Sequence, residues 1–258
     1  MSIDIFLYIW VYYLFNMNMG VYHIGFISYP RSQEDPMAKA DLHIHSIYSP
    51  DAISKPESIL EMAVEKGIDV IAITDHDTAN GWDPILEASK YYPVNVVLGQ
   101  EIKVYKDNLI AGELICLFLE KPLPVAINTI PDVIAAVAEQ GGLVSIAHPF
   151  SERRSRFRGF DQISDWQRIA IEVINGRSYN LRDNEMAEII AEKLDTLITA
   201  GSDAHTPFEI GNVYLEFEGK SIDDLKKSII HHDVCAHGRS SSPVFSVVSE
   251  FGRLGLSV

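Results

Sequence analysis

Residues 68–77 read Ile-Asp-Val-Ile-Ala-Ile-Thr-Asp-His-Asp. An apolar run of β-formers ends abruptly in an imidazole between carboxylates. Continuous apolar runs of this length mark a strand buried on both faces. Polar groups placed directly after such a strand sit where strand ends meet solvent. The same grammar recurs outward along the chain, in Asp41-Leu42-His43-Ile44-His45, Gln100-Glu101, Ala147-His148-Pro149 and Gly201-Ser202-Asp203-Ala204-His205. Each segment follows or closes an apolar run and carries His, Asp or Glu. That is the pattern of a metal centre built at the C-terminal mouth of a β/α barrel. Imidazole and carboxylate together suit zinc, manganese or iron, and clustered divalent ions activate water.

Between these segments the pattern alternates. Amphipathic helices are expected at 56–66, 80–91, 130–140, 181–194 and 221–231, the last being the final clear helix. Strands are expected at 41–45, 68–74, 94–103, 109–119, 143–147, 169–174 and 196–200. Lys106-Asp107-Asn108 reads as a hairpin turn. Strand–helix alternation predicts an α/β fold with a parallel sheet, open or closed.

The chain has 258 residues, is 47% hydrophobic and carries a net charge of -15. That acidity argues against binding long duplex nucleic acid through a basic surface. Two distant cysteines, Cys116 and Cys235, form no CxxC pair and read as reduced thiols of a cytoplasmic protein. Residues 1–37 form an apolar N-terminal extension, with no Lys or Arg before Arg31. Residues 3–29 are long enough to span a membrane but lack the basic start of a signal peptide. They read as an over-extended reading frame with Met37 as the start, as a membrane anchor, or as a packed extension. Residues 38–258 form one domain.

The spacing sharpens the metal reading. His43 and His45, two apart on a strand, leave the same face, and Asp203 and His205 repeat that spacing. Four arginines, Arg153, Arg154, Arg156 and Arg158, crowd into six residues after the His148 strand. At a barrel mouth they could grip phosphate bidentately. Arg177 and Asn175 close the next strand. Lys103 points the same way as Glu101. These are the candidate substrate contacts. His231, His232 and His237 read as surface histidines.

HIHSIYSPDA, ITDHDT, the strand ending in Glu101, IAHP and GSDAH, in that order over roughly residues 38–240, resemble the polymerase and histidinol phosphatase (PHP) family. The resemblance implies a distorted (β/α)7 TIM-like barrel holding two or three divalent ions. By position, His43, His45, Glu101 and Asp203 would hold one ion. Glu101 would bridge to a second, shared with His148, and Asp51, His76 and His205 would hold a third. Asp51 and Glu113 stand where many members have histidine. Glu113 would make the second site harder, favouring manganese or iron over zinc, or would merely face solvent. The implied activity is metal-dependent hydrolysis of phosphate esters, with His43, His45, Glu101, Asp203 and His205 at the catalytic centre. His205 and Asp77 are candidates for proton transfer. The small stand-alone members suggest a small nucleotide substrate, such as a 3′,5′-nucleoside bisphosphate or the 5′ end of short RNA. Histidinol phosphate hydrolysis and a non-catalytic metal-binding module are the alternatives. Oligomeric state is left open.

Overall fold

The computed structural model describes residues 37–124, 126–154 and 156–253. The apolar stretch at 3–29, and with it the choice between anchor and mistaken start, lies outside these residues. No helix among the described residues is long and apolar enough to cross a membrane.

The elements run β1 (Met37–Ile44), α1 (Pro56–Lys66), β2 (Val70–Ile73), α2 (Trp82–Ser89), β3 (Asn95–Leu98), β4 (Gln100–Lys106), β5 (Leu109–Leu117), α3 (Ile130–Glu139) and β6 (Leu143–Ile146). They continue as β7 (Ile169–Asn175), α4 (Leu181–Leu194), β8 (Leu197–Gly201), β9 (Val213–Glu218), α5 (Ile222–Ile230), β10 (Val234–Gly238) and α6 (Val244–Arg253). Local chemistry accounts for many of the boundaries. Pro56 opens α1, where its missing N–H costs nothing, and Gly67 closes it at φ 65°. Ser221 and Asp224 form a capping box at α5. The β4–β5 hairpin turns on Asp107 and Asn108, both at positive φ, as a two-residue type I′ turn requires.

The strands form two five-stranded sheets, in the orders β10-β9-β1-β2-β3 and β4-β5-β6-β7-β8. Both are mixed, which corrects the expectation of a parallel sheet. The β1-β2-β3 and β6-β7-β8 pairings are parallel. β9 and β10 add antiparallel strands to the first sheet, and β4-β5-β6 is antiparallel in the second. The hydrogen-bonded ladders do not run on into one closed barrel. Single parallel bridges, Ile44 to Ala204 and His76 to Glu101, link the two sheets beside the site.

The segment 94–103, read as one strand, is two, one in each sheet. The break is Gly99. Its N–H donates to Ile73 O at 3.0 Å, and a Cβ there would stand 2.6 Å from the Cys116 carbonyl oxygen. Only glycine allows the backbone to cross so close to its neighbour. The final strands and α6 were not anticipated. β9 alternates buried and part-exposed residues, so it lacks the continuous apolar run that marks the central strands.

One apolar cluster lies between and around the sheets and includes Leu42, Ile102, Leu114, Ile146, Ile171 and Phe217. A second, with Ile44, Ile59, Leu60, Ile71 and Ile85, packs α1 and α2 against the first sheet. Each such fully buried side chain contributes about 1.5–3 kcal/mol. Together they hold the strand ends that carry the polar residues.

Candidate metal centre

β1 delivers His43 and His45 on one face, both fully buried. Gly201, at the end of β8, makes room for them: a Cβ there would lie 2.4 Å from His43 Cβ. The two Nε2 atoms stand 3.1 Å apart. His43 Nε2 is 3.4 Å from Glu101 Oε1 and 3.6 Å from Asp203 Oδ1. His45 Nε2 is 3.5 Å from Glu101 Oε2 and 3.4 Å from Asp203 Oδ1. Two imidazoles and two carboxylates thus converge on one point.

Glu101 extends the cluster both ways. Its Oε1 is 3.3 Å from His148 Nε2, which lies 3.5 Å from Glu113 Oε2. Its Oε2 is 2.9 Å from His76 Nδ1. Asp51 Oδ2 completes the third group, 3.5 Å from His76 Nε2 and 3.4 Å from His205 Nε2. Glu113 is buried beside His148; it does not face solvent. His43–His45–Glu101, Glu101–Glu113–His148 and His45–His76–His205 each converge closely enough to hold a metal ion.

The hydrogen-bond pattern fits cations. Ser49 Oγ donates its one proton to Asp75 Oδ1 at 2.8 Å. It must therefore accept from His45 Nδ1–H, at 3.1 Å, so His45 Nε2 carries a lone pair. His43 Nδ1 lies 2.9 Å from Glu172 Oε1 and donates to it, which leaves its Nε2 as a lone pair unless a proton is added. Two lone pairs at this separation repel without a cation. Glu101 Oε2 is buried with no hydrogen bond, although imidazoles crowd it. A buried acceptor left so is costly unless an ion fills its place.

Electrostatics agree. Burial disfavours charge on His43, but Glu172 and Glu101 outweigh it and raise His43 to about 10. Burial likewise opposes His76, and Glu101 with Asp51 raises it to about 10. Burial holds Glu101 back from ionising, yet His43 and His76 bring it well below the carboxylate range. His45, buried and flanked by His76 and His205, is held well below the usual imidazole value. Burial, then the Arg177 charge, lowers His205 to about 4. Without an ion, the site holds protons in its place.

Of the expected substrate contacts, Arg154 enters the cluster. Its guanidinium pairs with Asp203 Oδ2 and donates to Asn175 Oδ1 at 2.8 Å. Lys103 Nζ lies 3.5 Å from Glu113 and is about one-third exposed (37%). Arg153 lies exposed over the Tyr179 ring, 5.8 Å from its centroid. Asn175 is committed inside the network, donating to Glu172 Oε2 at 2.9 Å and Asp203 Oδ2 at 3.1 Å. Arg177 departs from expectation. It is buried and bonds Glu209 Oε1 at 2.8 Å, Phe245 O at 3.2 Å and Ser249 Oγ at 3.2 Å. Glu209 in turn accepts from the His205 and Thr206 N–H groups. Arg177 therefore ties α6 to the loop that carries His205, through its Nε and Nη2 donors. Asp77 is exposed and accepts the Lys103 N–H at 3.0 Å, which makes it a hairpin brace.

Several supporting roles were not read from the sequence. Asp75 holds Ser46 N and Oγ, each at 2.7 Å. Asp41 accepts the N–H groups of Ser202 and Gly211 at 2.8 and 2.9 Å, and burial raises it to about 6. Glu172 lies at the heart of β7. A lone acid in a seven-residue run that is otherwise uncharged was the signal that could have found it.

Comparison with known proteins agrees with this geometry. The PHP domain family model matches residues 41–239. One uncharacterized protein of Methanocaldococcus jannaschii is 37% identical over 147 residues, covering 53% of this chain and 81% of that protein. A second from the same organism is 33% identical over 197 residues, covering 72% of this chain and 75% of its own length. A two-domain Bacteroides vulgatus protein, described as containing a predicted PHP-like metal-dependent phosphoesterase, shares the fold with a TM-score of 0.66 at 18% identity, covering 85% of this chain and 70% of that one. With the family model spanning most of the sequence, from the first histidine strand to the end of β10, the chain belongs to the PHP domain family.

Proposed function

We propose that this chain is a metal-dependent phosphoesterase that hydrolyses small phosphate monoesters. The observation that carries this reading is the convergence of three ligand groups around Glu101, which belongs to two of them and lies 2.9 Å from His76 of the third. His43, His45, Glu101 and Asp203 would hold the first ion. Glu101, Glu113 and His148 would hold the second, and Asp51, His76 and His205 the third. Divalent ions held there acidify bound water and neutralise phosphate oxygens. The carboxylate-rich donor set around Glu113 suits manganese or iron at the second position. The two sheets, bridged beside this centre, are read as a distorted, incompletely closed β/α barrel.

The chain's own groups supply the remaining roles. Arg154 holds Asp203 and presents a cation at the edge of the cluster. Lys103 presents another beside Glu113. Both favour the negative charge that builds on a phosphoryl group during in-line attack. His205 holds its Nδ1 proton on the Asp203 carbonyl oxygen at 2.8 Å, so its Nε2 faces the site as an acceptor. The net charge of -15 favours a small substrate over a long duplex. Tyr48, partly exposed on the turn that carries Ser49, offers a face for a nucleobase. These features support a nucleotide such as a 3′,5′-nucleoside bisphosphate, or the 5′ end of short RNA.

The test is phosphate release from adenosine 3′,5′-bisphosphate by the full chain with manganese. Release that Asp203→Ala abolishes is the expected result. No release from metal-loaded protein would overturn the nucleotide substrate. Release from histidinol phosphate instead would assign the other phosphatase activity.

A further inference from the structure

β7 is buried along its whole length, and Glu172 is its one charged residue. An unpaired carboxylate in such a place would cost several kcal/mol. Its two oxygens are instead fully used. Oε1 receives His43 Nδ1–H at 2.9 Å. Oε2 receives the His148 backbone N–H at 2.8 Å and Asn175 Nδ2–H at 2.9 Å. Asn175 passes the contact on to Asp203 Oδ2, at 3.1 Å. One side chain thus orients a histidine from β1, the backbone of the histidine that follows β6, and, through Asn175, the aspartate that follows β8.

We infer that Glu172 is a positioning residue of the metal centre: it fixes the tautomer of His43 so that Nε2 faces the ion, and it sets the spacing between His43 and His148. A carboxylate has no proton to give, so the proton must sit on His43 Nδ1. The Nε2 lone pair is then aimed at the point shared with His45, Glu101 and Asp203. A glutamine could not do this. With its oxygen occupied by His148 N–H and Asn175, its NH2 would face Nδ1 and force the proton onto Nε2, where the ion binds. His148 has a backbone φ of 26°, sparsely populated for a non-glycine residue. The Glu172 bond to its N–H helps to hold that conformation.

This inference rests on the metal-centre reading but not on phosphoester hydrolysis. The experiment is zinc titration of the full chain, with 15N NMR of its histidines. In zinc-loaded wild type the His43 ring is expected to carry its proton on Nδ1 and the metal on Nε2. Metal on Nδ1 would overturn the proposal without any variant. Glu172→Gln is expected to bind zinc about 10–100-fold more weakly at the His43 cluster, with a far smaller loss at the cluster of Asp51, His76 and His205. Glu172→Asp, which keeps the charge, is expected to recover part of that loss. Unchanged affinity in Glu172→Gln would overturn the role. So would an equal loss at all three clusters accompanied by a lower metal-free melting temperature, because that marks general damage. Zinc binding without phosphate release would overturn the proposed activity and leave Glu172 in place.

Discussion

At the scale of single residues, the site is a contest between protons and metal ions for the same lone pairs. Without an ion, His43 and His76 are each raised to about 10, against burial, by Glu101 together with Glu172 for His43 and with Asp51 for His76. Metal binding at neutral pH must therefore expel protons, and metal affinity should rise with pH from neutrality toward 10. Calorimetry in buffers of different ionisation enthalpy checks this; a binding heat that ignores the buffer would contradict it. In the metal-free protein the same shifts stabilise the fold. That contribution is complete below the ordinary imidazole value of 6.5 and is lost as pH rises through about 10. Arg154, paired with Asp203 at the edge of the cluster, is the proposed substrate contact. Arg154→Ala removes a charge-assisted contact of about 1.5–3 kcal/mol, so kcat/KM should fall roughly 10–150-fold. Arg153→Ala, at an exposed site, should change it far less. Steady-state kinetics on both variants decides. Arg154 and Arg177 looked alike as arginines near strand ends. Only their partners separate them, one on Asp203 and the other on Glu209.

At the scale of elements, the crossing at Gly99 places Glu101. β3 ends, the chain steps between sheets, and Glu101 emerges beside His76, accepting the Asp77 N–H at 2.9 Å and donating its own N–H to Asp75 O at 3.2 Å. Gly99→Ala would drive a Cβ to 2.6 Å from the Cys116 carbonyl. It should destabilise the fold by about 1–3 kcal/mol, and it should weaken metal binding as Glu101 shifts. Urea unfolding and a metal titration measure the two effects. A fully stable variant with intact affinity would mean that the crossing has slack. Helices 56–66 and 181–194 lie at the bounds expected from sequence; Pro56 and Gly67 mark the ends of the first through local chemistry, and in the structure the Asn180 side chain caps the second by accepting the Arg182 N–H. The split at 99 was not, because the obstacle, the Cys116 carbonyl, is distant in sequence.

At the scale of the whole molecule, the proposed ligands, on or just after β1, β2, β4, β5, β6 and β8, meet at one centre, so an ion bound there would cross-link both sheets. Metal should therefore stabilise the folded chain globally. At about 100 times Kd one ion adds about 2.7 kcal/mol. For a chain of this size that is a rise in Tm of roughly 5–10 °C, reversed by chelator. Thermal unfolding with manganese and then with EDTA checks it, and an unchanged Tm would argue against an ion that joins the sheets.

The sequence alone marked most of the histidines and acids that the fold gathers, because a buried apolar run and the polar residues after it are written contiguously; Glu101 instead opens β4 and Glu113 lies within β5. The sequence determined the family for the same reason, through five short segments in order. Tertiary structure decided what no contiguous segment could carry. Glu172, Asp41 and Asp75 act through partners up to 170 positions away, as in Asp41 with Gly211. The mixed strand directions follow from pairings between distant strands. Arg177 was turned toward α6 by Glu209, an acid that faces it only after the chain has folded.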